Sequence, residues 1–112
     1  MAVYFKTDNP QELLNLFKKA ITDRVIVTWL EEDGYFTHDT STDQWRGRAW
    51  FLPKIQTGYL TMNIIKSQGS NISSEVYAIY HGRLVEAMLA HFDKHFSNAT
   101  ATALPETGDR VS

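Results

Sequence analysis

One apolar stripe in the last third of the chain limits its folding options more than any other feature. Val76, Tyr77, Tyr80, His81, Leu84, Val85, Met88, Leu89, Phe92 and Phe96 recur at i, i+1, i+4 and i+5. At 100° per residue this spacing holds one face for roughly six turns of helix. Such a helix must bury that face against another layer. Ser73 is placed to cap it, and Ile72 and Tyr77 are spaced as a hydrophobic staple. Gly82 lies on the opposite face, at a cost of about 1 kcal/mol relative to alanine. A strand over residues 75–80 followed by a shorter helix is the alternative, but the stripe crosses Gly82 in phase and predicts one helix.

A shorter helix is expected after Asp8 and Asn9, which offer an N-cap, with Pro10 at the first helical position. Leu13, Leu16, Phe17, Ala20 and Ile21 form its apolar face. Residues 2–7 and 25–30 read as strands because they are β-branched and aromatic. Asp33-Gly34 is a hairpin signal, with a strand returning through Phe36, Thr37 and His38. Residues 39–43 read as an exposed loop. Residues 48–52 are strand-like up to Pro53, which marks an edge or a bulge. Residues 54–58 read as a turn. Tyr59 to Lys66 alternate, with Leu60, Met62 and Ile64 on one face and Tyr59, Thr61 and Asn63 on the other.

The expected order is β-α-β-β-β-β-α. It implies an α+β fold: an antiparallel sheet of four to five strands with two helices packed on one face. The chain has 112 residues, 43% of them hydrophobic and 12% aromatic. That is enough for one core, placed at residues 1–97. Residues 98–112 are polar and aromatic-free, and read as a flexible tail with an extended stretch at 99–104.

Several function classes recede on composition. There is no cysteine, hence no disulfide, thiolate metal site or cysteine nucleophile. No apolar run approaches the ~20 residues of a membrane span, and the first residues do not read as a signal peptide. A cytoplasmic protein without membrane contact is expected. The net charge of −2 makes nucleic-acid binding unlikely, since phosphate neutralisation needs a basic excess.

The run from Glu75 to Asp93, with Ala101 to Pro105, resembles a family of small bacterial α+β proteins of unknown function. Phe5 to Pro10 and the segment from Gln44-Trp45 to Ala49-Trp50 belong to the same resemblance. It implies a bacterial, cytosolic, single-domain protein and assigns no site residues.

Few residues suggest chemistry. Leu104-Pro105-Glu106-Thr107-Gly108 equals the pentapeptide cut by sortases, but no apolar segment follows it and it reads as turn chemistry. His91 and His95 sit at helical i, i+4 spacing, without a third ligand on the same patch. His81, inside the stripe, reads as a structural histidine. No catalytic triad, carboxylate pair or phosphate loop is legible, and neither cofactor nor metal is implied.

The segment from Gln44 to Lys54 is richer, because it interleaves aromatics with cations. Trp45, Arg46, Arg48 and Trp50, joined by Tyr59, are the candidate binding residues, since tryptophan and arginine dominate interface hot spots. Arg48, Trp50 and Leu52 are expected on the outer face of the sheet. The first functional expectation is a non-enzymatic interaction module, homodimeric through that exposed face. The alternative is a small-molecule binder or minor enzyme with a pocket near His81 and Trp29. Third is single-stranded nucleic-acid binding through Trp45, Arg46, Arg48, Trp50 and Lys54.

Overall fold

The computed structural model describes residues 1–39 and 45–112. Its elements are β1 (Ala2–Lys6), α1 (Pro10–Thr22), β2 (Trp29–Glu32), β3 (Tyr35–His38), β4 (Ala49–Gln56), β5 (Tyr59–Lys66), α2 (Ser74–Phe92) and β6 (Asn98–Ala101). The strands form one antiparallel sheet in the order β2-β3-β4-β5-β1-β6. The α+β class and the expected order hold through α2. The strand number is corrected from four to five to six.

The sixth strand comes from residues 98–112, the segment expected to lie outside the domain. Asn98-Ala99-Thr100-Ala101 has little strand propensity of its own. It pairs because β1 has a second edge: Lys6 opposes Asn98 and Val3 opposes Ala101. Backbone bonds from Ser97 N to Lys6 O and from Thr102 N to Ala2 O close both ends. Tertiary pairing here overrides composition.

Local signals explain most other boundaries. Asn9 caps α1 by accepting from Glu12 N, with Pro10 in the first turn. Asp33 and Gly34 both have positive φ, 53° and 84°, as a type I′ hairpin turn requires. β2 starts at Trp29 rather than Val25. The N–H groups of Val25 and Ile26 both reach back to Ala20 O, so this stretch closes α1 before any strand begins. β4 runs past Pro53 to Gln56. The recorded β3 pairing reaches Phe36 opposite Phe51, so Pro53 lies beyond it on that side. The expected turn over 54–58 contracts to Thr57-Gly58, closed by Gln56 opposite Tyr59. The loop expected at 39–43 falls, apart from Asp39, outside the described residues.

α2 is continuous through Gly82, where an added Cβ would meet nothing within 4 Å. It ends at Phe92. Phe96, expected on its stripe, instead stands edge-on to Phe5 with ring centroids 5.3 Å apart. One hydrophobic cluster joins Leu13 and Phe17 of α1, Tyr80, Leu84 and Met88 of α2, and the inward residues Val3, Phe5, Phe51, Leu60, Met62 and Ile64.

Beyond β6, residues 107–109 cover Asn63 on the outer face, and Arg110 then joins the edge of β5 in a parallel bridge to Ile65. The Asp109 side chain is fully buried, and its Oδ2 lies 3.2 Å from the Met1 ammonium. Asp109 also accepts from Asn63 Nδ2 (2.8 Å), Ile64 N (3.1 Å) and Glu106 N (2.7 Å). Arg110 then exchanges backbone bonds with Ile64 and Lys66. Gly108 passes so close to Asn63 that a Cβ would stand 2.9 Å from its Oδ1.

Tyr77 is expected to make stability sensitive to alkali. Its hydroxyl donates to Ala2 O at 3.0 Å. Burial first, then the negative charge of Asp109, raises its pKa well above that of an ordinary tyrosine. An unfolded tyrosine loses its proton near pH ~10, while the folded one keeps it. Above that pH the unfolded state binds fewer protons, so stability falls as pH rises. Denaturant midpoints measured across this range should fall, and less steeply in Tyr77→Phe. Equal slopes in the two proteins would remove Tyr77 as the cause.

Candidate functional site

The aromatic and cationic segment is tied to the core through a phenol and through the backbone of Gly47. Tyr80 of α2 is fully buried, with ring centroids 6.0 Å from Trp29 and 6.4 Å from Phe51. Its hydroxyl donates to Trp45 O at 2.5 Å and accepts from Arg48 N at 2.9 Å. It also lies 3.3 Å from Thr37 Oγ1, which donates to Ala49 O. Gly47 adds two anchors, its N–H to His38 O and its carbonyl to Ser67 Oγ. The turn over residues 45–48 is therefore held from α2, β3 and the end of β5.

That fastening distributes the candidate side chains. Trp45 is half-buried against the core. The Arg48 guanidinium lies over the Trp45 ring at 5.8 Å, a cation–π contact. Arg46 pairs instead with Asp39, Nε to Oδ1 at 2.6 Å. Arg48 precedes β4 rather than opening it.

Trp50 belongs to a different surface. Directly opposed residues share a face, so the β4–β5 register puts Trp50 with Ile65, Leu52 with Asn63, Lys54 with Thr61 and Gln56 with Tyr59. All lie on the face away from the main core. Trp50, Tyr35 and Ile65 line a groove of about 600 Å³ with Glu32, Asp33 and Lys66. Tyr59 shares this face but sits six residues from Ile65 along β5, about 20 Å at strand rise. Between them Asn63 is covered by residues 107–109. The five candidate residues thus occupy three places: the fastened turn (Trp45, Arg46, Arg48), the Trp50 groove, and a second groove at Tyr59.

The remaining candidates are dispersed. Trp29 is closed in by Phe17, Phe51, Tyr80 and His38. His81 lies apart from it, stacked on Tyr77 with Nδ1 3.3 Å from Tyr77 O. His91 and His95 are both exposed, and α2 ends between them. Among the described residues no group of three or more histidine and carboxylate side chains could hold a metal ion. Residues 104–108 are exposed, but Thr107 O accepts from Asn63 and the Asp109 N–H bonds Glu106 O, which makes the segment a packed turn.

Sequence reasoning missed Tyr35, Ile65 and Lys66 as groove residues, and Tyr80 as the anchor. Ile65 carried a signal, since it continues the outward alternation of Tyr59, Thr61 and Asn63. For Tyr80 only burial was legible. Comparison with protein-family models, curated proteins and solved structures finds no match for this chain.

The Arg46–Asp39 pair is more than half exposed on the arginine side. The turn's position comes from backbone bonds to Tyr80, so Arg46→Ala should change unfolding free energy by less than about 1 kcal/mol. A larger loss in urea denaturation would mean that the ion pair, and not the phenol, holds the turn.

Proposed function

We propose that this protein is a non-enzymatic interaction module that pairs with a second copy of itself through the Trp50 end of its outer sheet face. The observation that carries the reading is the groove itself. Its apolar floor of Trp50, Tyr35 and Ile65 lies between the acidic hairpin tip, Glu32 and Asp33, and the cation of Lys66. A twofold interface needs a patch complementary to itself. Rotating one copy onto another brings Trp50 against Trp50 and lets each acidic tip face the partner's lysine. Half-buried tryptophan and tyrosine ringed by charge is the usual make-up of an interface centre. Leu52, 36% exposed, extends the apolar surface.

The fastened turn and the Trp50 groove suit nucleic acid less well. Arg46 is already paired with Asp39, and the groove's own charges include two carboxylates. A bacterial, cytoplasmic setting is part of this proposal and rests on the resemblance carried by the α2 region.

Sedimentation velocity from low to high micromolar concentration tests it. The wild-type protein should pass from monomer to dimer. Trp50→Ala should weaken pairing by about 2 kcal/mol, roughly thirtyfold, as loss of an interface anchor does. Lys66→Glu should weaken it too, and adding Asp33→Lys should restore part of the loss. A protein that stays monomeric throughout would contradict the proposal.

A further inference from the structure

Leu104-Pro105-Glu106-Thr107-Gly108 is the pentapeptide that sortases cut between threonine and glycine, and pairing through Trp50 makes no use of it. Sortases are transpeptidases with a cysteine nucleophile. The thiolate attacks the threonine carbonyl carbon, the C–N bond to glycine breaks, and the glycine amine takes up a proton and leaves. A second amine then attacks the thioester and releases the thiol. In this chain the reacting bond is Thr107–Gly108.

That bond lies at the surface, yet the backbone on both sides of it is held. Thr107 and Gly108 are exposed. The Thr107 carbonyl oxygen, which attack would turn into an oxyanion, accepts from Asn63 Nδ2 at 3.1 Å. Gly108 has a φ of 98° and passes against the same asparagine. Upstream, the Glu106 carboxylate is hydrogen-bonded to Tyr4, and Glu106 N donates to Asp109 Oδ2 at 2.7 Å. Downstream, Asp109 N donates to Glu106 O at 2.9 Å. Arg110 N donates to Ile64 O at 2.8 Å, and Arg110 O accepts from Lys66 N at 2.7 Å.

We propose that residues 104–108 are a latent transpeptidation site, in which the Thr107–Gly108 bond is closed by Asn63 and Asp109 and reacts only when residues 106–110 lift off the sheet. Exposure alone does not make this bond a substrate. A sortase must draw the pentapeptide into its own cleft, and a turn closed between Glu106 and Asp109 cannot be drawn out without losing the bonds to Asn63, Ile64 and Lys66. Lifting is a local opening, because residues 106–110 take no part in the hydrophobic cluster. Where opening and closing are fast, the rate is that of a free peptide multiplied by the open fraction. The inference does not rest on pairing through Trp50.

The test is incubation with a sortase that accepts this pentapeptide and with triglycine as the amine, followed by mass spectrometry. A free peptide of residues 101–112 is the reference substrate. The wild-type protein should react about a hundredfold more slowly than the peptide, the equivalent of two or three hydrogen bonds held closed. Asn63→Ala, which leaves the pentapeptide intact, should react roughly tenfold faster than the wild type. Tyr4→Phe keeps the ring, loses only the bond to Glu106, and should give a smaller rise. In both variants the rate should increase in step with hydrogen exchange at the Lys66 amide, while amides in the middle of α2 stay protected and show that the fold is intact. Trp50→Ala should react as the wild type does, which separates closure by this segment from shielding by a second copy. The inference is overturned if the folded wild-type protein reacts as fast as the peptide, if folded Asn63→Ala or, failing that, Tyr4→Phe reacts no faster than the wild type, or if Trp50→Ala alone raises the rate.

Discussion

The arrangement of this molecule depends on the Tyr80 hydroxyl. Its ring fills the centre of the core between Trp29 and Phe51, while its oxygen reaches the chain that enters β4. A buried phenol needs a partner, and here the partners are the backbone of Trp45 and Arg48. Each such bond contributes about 1 kcal/mol net, and leaving its buried partner unsatisfied costs about 1–3 kcal/mol. One side chain of α2 thereby holds the turn that enters β4, together with the Gly47 bonds to His38 and Ser67. The two-residue turn at Thr57-Gly58 sets the β4–β5 register, with Gln56 opposite Tyr59, and alternation along β4 then turns Phe51 inward and Trp50 outward.

The second constraint acts on the opposite face. A two-layer fold leaves one side of its sheet open, and large open apolar faces are uncommon in monomers. This chain covers the middle of that face with its own residues 107–109, held through the buried carboxylate of Asp109. Among the described residues, that face keeps two separate grooves of unlike character. The Trp50 groove is apolar and rimmed by both signs of charge. The Tyr59 groove is aromatic, with the Glu106 carboxylate beside its Tyr4. Division by an internal segment gives one sheet face two distinct surfaces.

Much of this was legible in the sequence, for local reasons. The stripe of α2, the cap of α1 and the Asp33-Gly34 hairpin are specified by residues within a few positions of each other, so periodicity and turn chemistry suffice. The inward alternation of Leu60, Met62 and Ile64 was legible for the same reason. What escaped detection is long-range. The extended stretch expected at 99–104 overlaps β6, but its place in the sheet was not legible, because its partner edge on β1 lies more than ninety residues away. Asp109 looked like tail composition because Asn63 and Ile64 are distant in sequence. Trp45, Arg46, Arg48 and Trp50 cluster in sequence, yet a strand and a turn send neighbours to different places. Trp45 and Trp50, five positions apart, lie on separate surfaces, while Trp50 and Ile65 share one. Only cross-strand register reveals that pairing.

The most direct test is amide hydrogen exchange of Arg48 in Tyr80→Phe, compared with the wild-type protein. This substitution keeps the ring in the core and removes only the oxygen. If the hydroxyl fastens the turn, Arg48, left with its long 3.3 Å bond to Trp45 O, should exchange faster in the variant, and tryptophan fluorescence should shift toward that of a solvated indole. Amides in the middle of α2 should stay protected. Unchanged protection at Arg48, with α2 intact in both proteins, would show that the turn is held by other means and would contradict the role given to Tyr80.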